Sequence, residues 1–72
     1  MPKLPVLSGR EVVKALEALG FVQVRQRGSH VVMRRGSQGC VVPLHKQVKT
    51  GTLAGILRQA QITGDDFVEA AK

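Results

Sequence analysis

The sequence predicts an α+β fold in which a three-stranded antiparallel sheet carries two helices on one face and ends in a short helical tail. Three observations lead to this fold. Apolar residues recur at three- and four-residue spacing near both ends of the chain, three segments between these regions resemble strands, and the connections between those segments are only long enough for turns. With 72 residues, the chain is expected to form a single domain over residues 1–72.

The first helix is predicted to run from Gly9 to Leu19. Ser8 and Glu11 have the S-x-x-E spacing of a capping box, in which each side chain accepts a hydrogen bond from a backbone N–H at the start of the helix. Gly20 is expected to end the helix, because glycine readily adopts the left-handed conformation. The apolar residues that form one stripe along this helix are Val12, Val13, Leu16 and Leu19.

The first predicted strand, from Phe21 to Arg27, alternates apolar and polar residues. This alternation predicts a half-buried strand, with Val22 and Val24 on one face and with polar side chains on the other. The residues on the polar face are Gln23, Arg25 and Arg27.

The second predicted strand, His30 to Arg35, follows a turn at Gly28–Ser29. Alternation places Val31 and Met33 on one face of this strand. Val32 falls on the other face and is the exception among its polar neighbours there, His30 and Arg34. Either that face is partly covered, or the register is shifted by one residue, which would exchange the two faces.

The rest of the chain is predicted to add one strand and two helices. A turn over residues 36–39 precedes a short third strand, Cys40 to Val42, and Pro43 either ends this strand or leaves it at an edge of the sheet. The basic loop from His45 to Lys49 leads to a second helix capped by Thr50 or Thr52. The expected buried residues of that helix are Leu53, Ile56, Leu57 and Ala60. A last short helix begins near Asp65, with Thr63 as its cap and Phe67 as its apolar anchor.

The charge distribution favours a polyanionic partner. Eleven Lys and Arg residues against five Asp and Glu give a net charge of +6, and no acidic residue occurs from Ala18 to Gly64. Such a basic centre is typical of proteins that bind nucleic acid, and a solvated basic face is the alternative. Cys40 is the only cysteine, and no apolar stretch is long enough for a signal peptide or a membrane span. We therefore expect a cytoplasmic protein with no membrane partner.

Several kinds of catalytic chemistry do not fit the residues. Cys40 lies among apolar neighbours in a predicted strand, where a thiol is usually an inert small hydrophobe. Together with His30 and His45 it lacks the paired spacing of zinc ligands, so no metal site is expected. Two-metal nuclease chemistry needs several carboxylates around the phosphate, and the centre of the chain has none. No cofactor is implied.

His30 is the candidate catalytic residue, because histidine accepts and returns protons near neutral pH. RNA carries its own nucleophile, the 2′-hydroxyl, so a basic protein with a histidine can cleave RNA without a metal, whereas DNA offers no such internal attack. The alternative is an ordinary strand residue beside a turn. The lack of aromatic residues outside the predicted core argues against base stacking and leaves backbone and shape recognition, as for double-stranded RNA.

The remaining candidate residues are proposed to contact phosphates of the RNA. Lys46 and Lys49 precede a helix N-terminus, whose dipole would help to hold a phosphate. His45 is a proton donor, a phosphate contact or a structural loop residue. The complete set of predicted RNA contacts is Arg25, Arg27, Ser29, Arg34, Arg35, His45, Lys46 and Lys49.

The segments "ALGFVQVRQRGSHVVMRR" and "VVPLHKQVKTGTLAGILRQAQIT" resemble the HicA toxin family, also called YcfA-like, over nearly the whole chain. The matching features are G-S-H after the first strand, P-x-H ahead of the second helix, and GTLxxIL within it. The resemblance implies a fold like that of double-stranded-RNA-binding domains and cleavage of mRNA by the toxin of a toxin–antitoxin pair. It also implies that His30 is the catalytic histidine and that a HicB-like antitoxin covers the active surface in a hetero-oligomer.

Two other functions compete with the endoribonuclease interpretation. A non-catalytic module that binds double-stranded RNA would keep the basic face and would not need His30. A protein-interaction domain would use the same basic face to dock an acidic partner. A neighbouring reading frame that encodes a small acidic protein would favour the toxin.

Overall fold

The structure is a computed structural model that describes residues 3–72 and confirms the predicted α+β fold. The sheet has the strand order β1-β2-β3, and both pairs of neighbouring strands are antiparallel. A third helix, α3, forms the tail. The elements in chain order are α1 (Gly9–Ala18), β1 (Val22–Arg27), β2 (His30–Arg35), β3 (Gln38–Pro43), α2 (Thr50–Ala60) and α3 (Gly64–Ala70).

Helix α1 begins with the predicted capping box. The backbone N–H of Ser8 donates to Glu11 Oε1 at 2.9 Å, and the backbone N–H of Glu11 donates to Ser8 Oγ at 3.1 Å. The hydrogen bond from the Ser8 backbone lowers the pKa of the Glu11 carboxyl. After the helix, Gly20 has a φ of 97°, which confirms its predicted role as the residue that ends α1.

The core lies between the helices and the inner face of the sheet. Val31 and Met33 of β2 are buried there, at 2% and 0% exposure, so the predicted register of β2 is correct. Helix α2 packs mainly against β3, and α1 also contacts β3 and α3. The largest fully buried side chains are Phe21, Phe67, Leu16, Met33, Leu53, Val12, Val31, Val42 and Val48.

Strand β1 differs from the half-buried strand that alternation predicted, because all six of its residues are exposed. It is an edge strand, and the helices pack over the β3 side of the sheet. In addition, its register shifts between Gln23 and Arg25, so Val24 is an extra residue in a β-bulge. The prediction that β1 is half-buried was therefore wrong, since even Val22 and Val24 are 58% and 51% exposed.

Two boundaries in the second half of the chain also differ from prediction. β3 begins at Gln38, which pairs with Arg35, so the turn before it contains only Gly36 and Ser37. Lys49 is the N-cap of α2 and no side chain caps the helix, so the prediction of a threonine cap was wrong. The cap of α3 is as predicted, with Thr63 Oγ1 accepting from the Asp66 N–H at 3.1 Å. Among residues 3–72, every helix is too short or too polar to cross a bilayer.

Candidate nucleic-acid interface

The hairpin turn between β1 and β2 places His30 at the first position of its strand. Gly28 and Ser29 alone connect Arg27 to His30, which pair directly across the two strands. Gly28 has a φ of 54°, a conformation that two-residue hairpin turns require and that glycine adopts without strain. The Gln26 side chain donates from Nε2 to the carbonyl oxygen of Gly28 at 3.0 Å. A side chain of β1 is therefore hydrogen-bonded to the turn. The His30 side chain, at the other end of the turn, is exposed.

Backbone hydrogen bonds bring the segment that contains His45 to the same end of the sheet. His30 pairs with Pro43 of β3, and the Leu44 N–H donates to the Ser29 carbonyl oxygen at 2.6 Å. The His45 carbonyl in turn accepts from the Gly9 N–H at 2.8 Å. The backbone segments that carry the two histidines, which are fifteen positions apart in the numbering, therefore lie close together at one end of the sheet.

The start of α1 packs so closely on this loop that only glycine fits at residue 9. A Cβ atom on Gly9 would collide with the carbonyl oxygen of Pro43 and with Leu44 Cα. Further along the loop, the Val48 N–H donates to the Leu7 carbonyl at 2.7 Å. The loop that carries His45 is thus held to the first residue of α1, to the segment just before α1 and to the β1–β2 turn.

Lys46 and Lys49 lie in the same loop, and both side chains are exposed. Lys49 is the N-cap of α2, where its extended backbone leads into the first turn. Because no side chain caps α2, the N–H groups of its first turn remain open to a ligand from solvent. The two lysines therefore immediately precede a helix terminus that is suited to a phosphate.

Three of the predicted arginines share the sheet face that the helices leave open. Arg27 pairs with His30, Arg25 pairs with Val32, and Arg34 lies two residues beyond Val32 on β2. All three arginines are exposed. Among residues 3–72 the only ion pair joins Lys72 to Glu69, so no carboxylate of this part of the chain neutralises the three guanidinium groups. We call this face, which also carries His30, the open sheet face.

Arg35 is separated from this group, because it lies on the inner face with Val31 and Met33. Its guanidinium donates to the Leu19 carbonyl oxygen at 2.6 Å and to Gln38 Oε1 at 3.0 Å. It also lies over the Phe21 ring, 4.8 Å from the centroid. The Gln38 amide continues this link with a 3.0 Å hydrogen bond to the Ala60 carbonyl oxygen. Arg35 therefore joins the end of α1 to the sheet, and its donors are directed away from the open sheet face.

Cys40 faces the core, and burial raises the pKa of its thiol to about 11. A thiol with this pKa is protonated at neutral pH and is a poor nucleophile. Within residues 3–72, no three histidine, cysteine, aspartate or glutamate side chains come together as metal ligands. The groups on this surface that can exchange protons or bind anions are thus the histidines, the arginines and the lysines.

The open sheet face also carries exposed or partly exposed valines that were not predicted as a group. We call them the valine patch and define it as Val22, Val24, Val32 and Val41. Val32 and Val41 are cross-strand partners, and Val41 is 41% exposed. The only signal in the sequence was Val32, which did not fit a polar face. Val22 and Val24 carried no signal, since simple alternation without a bulge places them on the face opposite to Arg25 and Arg27.

Comparison with known proteins agrees with this geometry. A family model described as the HicA toxin of bacterial toxin–antitoxin systems matches residues 9–62, a span from the start of α1 to just beyond α2. No curated protein matches the chain. The match covers more than half of the 72 residues and includes the turn before His30 and the loop that carries His45. The chain therefore belongs to the HicA family of toxins of bacterial toxin–antitoxin systems.

Proposed function

We propose that this chain is a metal-independent endoribonuclease that cleaves mRNA, that residues 1–72 form a single toxin domain, and that a HicB-like antitoxin inhibits it. His30 is the general acid or base. Phosphates of the RNA are held by cationic side chains on two sides of this histidine. These are Arg25, Arg27 and Arg34 on the open sheet face and Lys46 and Lys49 in the loop before α2.

The observation that carries this proposal is the position of His30. Its exposed imidazole lies at the end of a hairpin, beside the exposed Arg27 and close to the loop of His45 and Lys46. A phosphodiester bound between the arginines and the lysines would therefore lie next to a group that can move protons near neutral pH.

The proposed reaction uses the 2′-hydroxyl of the RNA as the nucleophile. His30 removes the 2′-hydroxyl proton, or it protonates the departing 5′-oxygen, while the cationic side chains stabilise the negative charge that develops on the phosphate. A bond forms between the 2′-oxygen and phosphorus, and the bond from phosphorus to the 5′-oxygen breaks. The products are a 2′,3′-cyclic phosphate and a 5′-hydroxyl. His45 is a candidate for the second proton-transfer role.

The test is cleavage of a labelled RNA by the purified chain in excess EDTA, beside the same RNA with a 2′-O-methyl group at the cleaved nucleotide. We expect cleavage of the first RNA, with a cyclic phosphate end, and none of the second. Cleavage of the methylated RNA at the same site would contradict the mechanism. RNA binding without any cleavage would favour the non-catalytic RNA-binding module instead.

A further inference from the structure

The conformation of the Gly28–Ser29 turn decides which way its central peptide group faces. In a type I′ turn both central residues have a positive φ, whereas in a type II′ turn only the first one does, and the peptide group between them faces the opposite way. Gly28 has a φ of 54°, and among residues 3–72 Gln61 is the only residue other than glycine with a positive φ. The turn is therefore of type II′, with Gly28 at its first central position.

The Gln26 side chain holds this central peptide group in place. Gln26 pairs with the buried Val31, so its side chain is on the inner face of the sheet, where it lines a cleft between α1 and β1. From there its Nε2 donates to the Gly28 carbonyl oxygen at 3.0 Å. The peptide bond is trans, so its C=O and N–H point in opposite directions. The Ser29 N–H is thus directed away from Gln26, toward the open sheet face.

The Ser29 N–H is a donor that the fold leaves free beside the proposed catalytic histidine. Within the described residues 3–72 no group accepts a hydrogen bond from it. The following peptide group is fixed as well, because the Ser29 carbonyl accepts from the Leu44 N–H at 2.6 Å. His30 comes next in the chain, and its partner Arg27 is on the same face. A donor that is fixed in direction and open to solvent is suited to an oxyanion.

We propose that Gln26 is a positioning residue for RNA cleavage, because it directs the Ser29 N–H toward a non-bridging oxygen of the phosphate beside His30. This inference rests on the proposed function. Negative charge grows on that oxygen as the 2′-oxygen attacks phosphorus, and a donor already held in place stabilises the charge without reorganisation. Arg27 supplies positive charge on a long side chain, whereas the backbone N–H supplies a fixed direction.

The test measures the turnover rate at saturating RNA, together with RNA affinity, for two replacements of Gln26. Gln26→Met removes the donor, and its rate should fall by no more than about tenfold, because one exposed neutral hydrogen bond contributes little. Gln26→Glu replaces the donor with a carboxylate, which repels the Gly28 carbonyl and attracts the Ser29 N–H, so that the peptide group turns over. Its rate should fall by about 10- to 10³-fold, toward the effect of losing one oxyanion donor.

Gln23→Glu is the matched control, because Gln23 is on the same strand, lines the same cleft and gains the same charge. Within residues 3–72 Gln23 has no hydrogen bond to the turn, so this variant should keep the wild-type turnover rate. If Gln26 only stabilised the hairpin, both of its variants would melt at lower temperature and turn over RNA at the wild-type rate when folded. The proposal is wrong if Gln26→Glu has the wild-type rate at saturating RNA, or if Gln23→Glu is equally slow.

An NMR titration with fully 2′-O-methylated RNA separates this proposal from the proposed function, because it needs no cleavage. We expect the Ser29 amide proton of the wild type to shift downfield as the RNA binds, and that of Gln26→Glu to shift little. If the wild type shows this shift but does not cleave unmodified RNA, the proposed function fails and the positioning of the Ser29 N–H stands. If the Ser29 signal does not respond to RNA, or responds equally in both proteins, the positioning proposal fails, whether or not the wild type cleaves.

Discussion

Arg34 and Arg35 are consecutive residues of β2, and their side chains lie on opposite faces of the sheet. Arg34 is exposed on the open sheet face, where it pairs across the strands with Val22. Arg35 is partly buried on the inner face and donates to the Leu19 carbonyl oxygen at 2.6 Å. Two identical side chains therefore have different surroundings: Arg35 is bonded within the fold, whereas Arg34 is open to solvent, where we propose that it contacts RNA.

This pair predicts two separable effects of the same substitution. Arg35→Gln removes the hydrogen bond to Leu19 and should lower the free energy of unfolding by about 1 to 3 kcal/mol, because a partly buried carbonyl loses a charged donor. Arg34→Gln should leave the melting temperature unchanged and should weaken RNA binding by removing one phosphate contact. Thermal unfolding and RNA titration of both variants check the assignment. Equal effects of the two substitutions in both measurements would contradict it.

The salt dependence of RNA binding should report the number of phosphate contacts. If Arg25, Arg27, Arg34, Lys46 and Lys49 all bind phosphates, log affinity should fall linearly with log salt, with a slope of about −0.7 to −0.9 for each contact. Arg25→Gln should make the slope shallower by about the contribution of one phosphate contact. Arg10→Gln, on the exposed side of α1, is the control and should leave the slope unchanged. An affinity for RNA that does not depend on salt would contradict the proposal that these residues bind phosphates.

Burial of Cys40 predicts a loss of stability in alkaline solution. Burial raises the pKa of the folded-state thiol to about 11, whereas an unfolded thiol has a pKa of about 8.5. The stability that this difference contributes is fully present below about pH 8.5 and is lost as the pH rises toward 11, because the unfolded chain releases its proton first. Denaturant titrations of wild type and Cys40→Ala from pH 7 to 11 test this. The wild type should lose more stability over that range than Cys40→Ala, and parallel curves would show that Cys40 does not contribute.

The fold could be predicted from local patterns wherever those patterns agree with the tertiary structure. The capping box at Ser8 and the alternation of Val31 and Met33 both specify local geometry that packing then uses. The bulge at Val24 could not be predicted in this way, because it depends on pairing with β2 and not on the composition of β1. The exposure of β1 follows from where the helices pack, which is a tertiary property.

In the candidate site, too, some features follow from local sequence and others depend on tertiary structure. His30 was identified from its neighbours in sequence, but its proximity to the loop of His45 depends on the β2–β3 register and on the hydrogen bond between Leu44 and Ser29. For Arg35 a usable signal did exist. The alternation that directs Val31 and Met33 toward the core also directs Arg35 to the inner face, so its separation from the proposed RNA contacts follows from the strand pattern.

The central claim, that His30 moves protons during RNA cleavage, is tested most directly by the cleavage rate of His30→Ala. General acid–base catalysis contributes about 10² to 10⁴-fold, so we expect a loss of at least about 10²-fold in the rate. RNA affinity and melting temperature should match those of the wild type, because the His30 side chain is exposed and the proposed phosphate contacts are other residues. His45→Ala, measured beside it, should lose a comparable amount only if the two histidines divide the acid and base roles. A His30→Ala protein that cleaves RNA at the wild-type rate, or that loses activity only because it unfolds, would contradict the account.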